Sequence, residues 1–158
     1  MIRVALGQDS HRFCDEPYPE GRMLILGGVL FADEPPLDGN SDADVILHAL
    51  TNAISGITGV PVLGAAADRL CAAGVTDSRA YVHEALADLT GTIQHVSISI
   101  EAARPKLLAR IPEIRQSVAS ILNIDKAGVA VTATSGEGLT ACGRGEGIAC
   151  LCVLTVTD

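Results

Sequence analysis

Residues 95–102 read HVSISIEA, with Val96, Ile98 and Ile100 alternating with Ser97 and Ser99. A period of two over this length specifies a β-strand. Helical spacing dominates the segments before and after it. Ser41 reads as a helix N-cap with Asp44 as its acidic capping partner three residues on. From there Val45 and Ala49, with Ile46, Leu50, Ala53 and Ile54, supply a broad apolar face. This helix is expected over about residues 42–57, stopped by Gly56, Gly59 and Pro61. A short Ala-rich helix is expected over 62–72, and another capped by Thr76 or Asp77. Pro105 suits the first turn of a helix reaching about Leu122, in which Pro112 implies a kink or restart. Further strands are expected at 3–7, 23–31, 129–134 and 148–156, the second with a bulge or close approach at Gly27–Gly28. Strands interleaved with helices predict an α/β fold, an α+β sandwich with helices on one face of a mixed β-sheet.

The 158 residues fit one domain, and no repeat, low-complexity stretch or internal boundary divides residues 1–158. A net charge of −8 and an aromatic content of 3% argue against nucleic-acid binding, which needs a basic face or stacking platforms. No apolar run reaches membrane-spanning length. The opening MIRVALGQDSHRF turns polar too early for a signal peptide, so a cytoplasmic location is expected. The five cysteines form no CxxC pair and are expected as reduced thiols, with Cys150 and Cys152 on one strand face in the core.

Five groups of residues can carry chemistry. Asp9 and His11 lie two apart after a strand, so a carboxylate and an imidazole converge on one side. With His48 as a third ligand they have the form of a catalytic zinc site with an open fourth position. Asp44 or Asn52, one turn either side of His48, can accept from its second ring nitrogen. By spacing alone, a polar turn and an internally satisfied histidine remain the commoner explanation. The block 40–44, NSDAD, is explained by capping. Residues 133–137, ATSGE, leave hydroxyls and backbone N–H groups at a strand end that can hold phosphate, with Glu137 on a hard cation. In GRGEG, Arg144 can pair with phosphate. Ala102, Ala103 and Pro105 leave room for a flat group at another strand end. Each group by itself also fits an ordinary turn or strand exit.

Together and in this order, GQDSHRF, ILGGV, SDADVILHALTNAISG, ARPKLLARIP and GRGEGIAC resemble the 2-C-methyl-D-erythritol 2,4-cyclodiphosphate synthase family of the non-mevalonate isoprenoid pathway. The resemblance covers nearly the whole chain. It implies a homotrimer with active sites at subunit interfaces, and a small-molecule substrate, 4-diphosphocytidyl-2-C-methyl-D-erythritol 2-phosphate. It implies a Zn2+ ion on Asp9, His11 and His48, and Mg2+ or Mn2+ on Glu137. It places cytosine against Ala102, Pro105, Lys106, Leu107 and Leu108. It places phosphates against Ser41, Ala133, Thr134, Ser135 and Arg144, with Asn40 and Ser135 nearest the reaction. Four features depart from the family. Asn40 stands where the family has His, the stretch VLGAAADRLCAAGVTDS lacks its two Asp-containing segments, Thr134-Ser135-Gly136 stands for a Thr-Thr-Thr run, and Ala141 replaces a Phe. These departures raise a second reading, a non-catalytic zinc-containing trimer that binds an isoprenoid diphosphate or a cytidine nucleotide.

Overall fold

The computed structural model describes residues 1–158. Strand β1 (Ile2–Arg12) opens the chain, followed by the short strands β2 (Leu24–Leu26) and β3 (Val29–Phe31). Three helices come next, α1 (Val45–Thr58), α2 (Ala65–Ala72) and α3 (Ser78–Ala87). Strand β4 (Thr92–Glu101), helix α4 (Ile111–Leu122) and strands β5 (Val129–Thr134) and β6 (Gly147–Thr157) complete it. The main sheet has the order β1-β6-β4-β5, with only β4 and β5 parallel, so it is the expected mixed sheet. Its alternating residues divide cleanly between two faces. Val96, Ile98 and Ile100 of β4 and Cys150, Cys152 and Leu154 of β6 are buried beneath the helices, in one core of 33 apolar residues.

Helix α1 lies directly on β1 because Gly7 has no side chain. A Cβ at Gly7 would sit 1.9 Å from the Ala49 carbonyl oxygen. This close approach brings the middle of α1 over the second half of β1. The start of α1 is fixed by Asp44, not Ser41. The Asp44 carboxylate accepts from Ile46 N and Leu47 N at 3.2 and 3.1 Å, so the helix begins three residues later than the expected cap. Ser41 instead accepts from Ala43 N, forming a tight turn ahead of the helix. Gly27 and Gly28, with φ of 62° and 78°, are the two-residue turn of the β2–β3 hairpin, not a bulge within one strand. Their N–H groups donate to the same Asp44 carboxylate at 2.8 and 2.7 Å. One buried acid thus joins a hairpin turn to a helix start. Burial pushes Asp44 up to about 6, the hydrogen bonds from Gly28, Gly27 and Leu47 opposing it.

Strand β1 runs to Arg12, well past Gly7, because Asp9, Ser10 and His11 pair with Cys150, Ala149 and Ile148 of β6. Pro112 stands in the first turn of α4, where its missing N–H costs nothing, so it marks a start and not a kink. The stretch from Pro105 to this point forms a single 3-10 turn at Leu108–Arg110. Asp77 caps α3, as expected. The outer face of β1 and β6 carries no helix. Ile2, Val4 and Leu6 on it are 71%, 62% and 62% exposed, and Leu151 and Val153 adjoin them. No helix is long and apolar enough to cross a membrane.

Candidate metal centre and active site

Asp9 and His11 point inward from the same face of β1, and His48 points down at them from the second turn of α1. Their donor atoms form a nearly equilateral triangle. His11 Nε2 lies 2.9 Å from Asp9 Oδ2, His48 Nδ1 lies 3.1 Å from the same oxygen, and the two nitrogens are 3.1 Å apart. Tetrahedral zinc bonds of about 2.0–2.1 Å separate donor atoms by roughly 3.3 Å. The triangle therefore matches one face of a tetrahedral site, with small adjustment and a fourth position open.

The nitrogens turned away from the triangle are also bonded. His11 Nδ1 donates to the Asp38 carbonyl at 2.7 Å, which leaves Nε2 to face the centre. His48 Nε2 lies 2.9 Å from Ser78 Oγ and 3.2 Å from Ser41 Oγ. The second bond of His48 thus goes to two serines. Asp44 is occupied at the helix cap, and Asn52 donates to the Gln8 carbonyl. Burial raises Asp9, but the neighbouring His11 and His48 outweigh it and bring Asp9 down to about 2. Burial lowers His11, and the Asp9 carboxylate outweighs that and raises it.

A cavity of about 230 Å³ opens over the triangle. Asn40 lines it and is exposed, next to Leu63, Ala67 and Cys71 from the segment around α2. Ser41, also at this cavity, is buried with its hydroxyl turned to His48. A second cavity, of about 160 Å³, lies at the far edge of the sheet. Ala102, Pro105, Lys106, Leu107 and Leu108 line it on the β4 side, and Ala133, Thr134 and Ser135 on the β5 side. With Ala103, most residues of the two strand ends therefore share one cavity, while Arg104, Gly136 and Glu137 do not line it. Glu137 lies just beyond, with φ of 51°, and its N–H donates to Ser135 Oγ at 3.3 Å. Arg144 pairs with Glu146 at 3.0 Å, and Glu146 also pairs with Arg12.

The two cavities share no residue but stand at the same end of the sheet. Asp9 pairs with Cys150, Cys150 with Ile100, and Ile100 with Ala133. Three strand spacings of about 4.8 Å separate the metal triangle from the Ala133 cavity by roughly 14 Å. They lie at opposite edges of the sheet.

Residues Asp42, Ser78 and Tyr81 were not legible as parts of this site. Ser78 and Tyr81 come from α3, where the sequence signal is only that of a capped helix. Asp42 reads as an ordinary first-turn acid. The Tyr81 ring packs 5.9 Å from that of His48, and its hydroxyl donates to the Val75 carbonyl. His83 and His95 are exposed and belong to neither cavity.

Comparison with known proteins agrees with this geometry. The YgbB family profile matches residues 2–157. The chain is 49% identical to the 2-C-methyl-D-erythritol 2,4-cyclodiphosphate synthase of Chlamydia muridarum, over 100% of this chain and 89% of the relative. Among solved structures it is similar to the bifunctional IspDF of Campylobacter jejuni, with a TM-score of 0.85 and 29% identity. That match covers 100% of this chain and 43% of the longer one. It is also similar to IspF of Plasmodium falciparum in a CDP complex, with a TM-score of 0.77 and 25% identity over 99% of this chain and 96% of that one.

Proposed function

The chain belongs to the YgbB family, and from that membership we propose the reaction it catalyses and the residues that carry it. It is a cyclodiphosphate synthase, a lyase of isoprenoid biosynthesis. It converts 4-diphosphocytidyl-2-C-methyl-D-erythritol 2-phosphate to 2-C-methyl-D-erythritol 2,4-cyclodiphosphate and CMP. An oxygen of the 2-phosphate attacks the β-phosphorus, the bond from that phosphorus to the CMP oxygen breaks, and CMP leaves with the electron pair. The nucleophile is already an anion, so no side-chain base is needed. The task is to hold two anionic phosphates in line and to neutralise their charge.

The Asp9, His11 and His48 triangle is the observation that carries this reading. Its donor set of one carboxylate and two imidazoles suits Zn2+, which, when bound, supplies Lewis-acid charge neutralisation to the attacking phosphate. Asn40, at the mouth of the same cavity, donates a hydrogen bond to phosphate, in a place where the family has a residue able to carry charge. Ala102, Pro105, Leu107 and Leu108 form a narrow apolar slot that takes a pyrimidine ring, and a CDP complex of a similar structure supports a cytidine nucleotide there. Lys106 is exposed at that slot and faces the diphosphate. Thr134, Ser135 and the backbone of Ala133 hold phosphate oxygens. Glu137 offers one exposed carboxylate, which suits Mg2+ or Mn2+ when substrate phosphates complete the shell. Arg144 exchanges Glu146 for phosphate.

The working form is a homotrimer. The separation of the two half-sites and the bare apolar stripe of Ile2, Val4, Leu6, Leu151 and Val153 both support it. A neighbouring chain covers the stripe and brings its Ala133 edge to the Asp9 edge of the first.

The test is zinc content together with CMP release. Wild-type protein is expected to hold one zinc per chain and release CMP, and His48→Ala to lose both. Unaltered turnover by His48→Ala with stoichiometric loss of zinc would overturn the metal assignment.

A further inference from the structure

Ser78 is fully buried at the first turn of α3, on the opposite side of His48 from the metal triangle. Its hydroxyl has two neighbours, Asp42 and His48, that fix where its single proton goes. The Asp42 carboxylate takes two bonds from Ser78, from the N–H at 3.1 Å and from the hydroxyl. Asp42 is itself tied down, since its Oδ1 also accepts from Asp44 N at 3.1 Å and its own N–H donates to the Thr76 carbonyl. An ionised carboxylate only accepts, so the Ser78 proton points at Asp42. The Ser78 oxygen then turns lone pairs towards His48 Nε2, 2.9 Å away. If that nitrogen lacked a proton, its lone pair would face a Ser78 lone pair at 2.9 Å, and only the longer contact to Ser41 Oγ, at 3.2 Å, could supply a proton in place of water. Nε2 therefore carries the proton, and the lone pair of a neutral His48 sits on Nδ1, facing Asp9 and His11.

We propose that Ser78 and Asp42 are positioning residues for the metal centre: through the Ser78 hydroxyl, Asp42 holds His48 in the tautomer and ring orientation that binds metal. The relay rests on the reading of Asp9, His11 and His48 as a metal site, not on the reaction that follows. Such outer partners of a ligating histidine alter metal affinity by about 10–100-fold when removed.

The experiment compares wild type, Ser78→Ala and Asp42→Asn as full chains, with zinc alone as the probe. Zinc affinity is measured by competition with a chromogenic chelator at pH 7. The His48 tautomer in metal-free protein is read from long-range proton–nitrogen NMR correlations of the imidazole ring. Wild type is expected to show the Nε2–H form. Ser78→Ala is expected to bind zinc about 10–100-fold more weakly and to show mixed tautomers. Asp42→Asn is expected to fall between, because its amide can turn an N–H towards Ser78 and reverse the bond. Should Ser78→Ala fail to fold, the wild-type tautomer and Asp42→Asn decide the matter. A wild-type His48 protonated on Nδ1, or zinc affinities of the folded variants within twofold of wild type, would overturn the relay. Wild-type protein that takes up no zinc would overturn the metal-site reading beneath it.

Discussion

At the scale of single residues, the metal triangle depends on which nitrogen each imidazole presents. His11 is set by the Asp38 carbonyl and His48 by Ser78, so both present a lone pair to the position beside Asp9. Asn40 lines the cavity over the metal triangle, at the position where the resemblance implies a His. It stands exposed at the mouth of the cavity, and a larger ring there meets open space. Asn40→His is therefore expected to preserve or raise the rate of CMP release, measured under zinc saturation. A large loss would mean that the surroundings are built around Asn. Asp9, His11 and His48 were candidates from the sequence, since residues two apart on a strand share a face, but spacing alone favoured a polar turn and a satisfied histidine, and the family resemblance singled them out. The partners of His48 were not. Ser78 is 30 residues away in the chain, and no local period connects the two.

Among elements, α1 is placed by two contacts that are only partly legible in the sequence. Gly7 lets the helix lie on β1, and Asp44 ties its first turn to the Gly27–Gly28 turn. The sequence reading put the cap on Ser41 because Ser followed by an acid three residues later is a common capping pattern. A carboxylate that can reach four N–H groups of two elements wins over a hydroxyl that can reach one. Removing it leaves the hairpin turn and the helix start without acceptors, so Asp44→Ala is expected to cost about 2–4 kcal/mol in denaturant unfolding. Asp44 also predicts a pH dependence. Burial raises it from 3.8 to about 6, so the folded state holds its proton more tightly than the unfolded chain. Its contribution to stability is fully present below pH 3.8 and is lost as pH rises through about 6. Relative to Asp44→Asn, which has no such group, wild type is expected to gain stability between pH 7 and pH 5. A difference that is flat, or that runs the other way, would contradict this environment for Asp44. Most strands and helices were readable from period and punctuation, but the Gly27–Gly28 hairpin turn and the start of α4 were not. The extension of β1 through Asp9 and His11 was not, because its polar residues take their strand form from pairing with β6.

For the whole molecule, the decisive fact is that the metal triangle and the Lys106 cavity lie at opposite edges of one sheet. Neither composition nor local pattern could show this, since it follows from the strand order β1-β6-β4-β5. If neighbouring chains complete each other's sites, two inactive variants should rescue one another. His48→Ala and Lys106→Ala, dissociated and reassembled together, are expected to recover CMP release that neither has alone, because some interfaces then pair two intact edges. No recovery from mixed assemblies would mean that each chain works with its own two edges. The account as a whole is tested most directly by giving zinc-loaded protein the diphosphocytidyl substrate with Mg2+ and following the phosphorus NMR spectrum. It predicts that CMP and the cyclic diphosphate appear together in equal amounts. Zinc-loaded, assembled protein that leaves the substrate unchanged would contradict it.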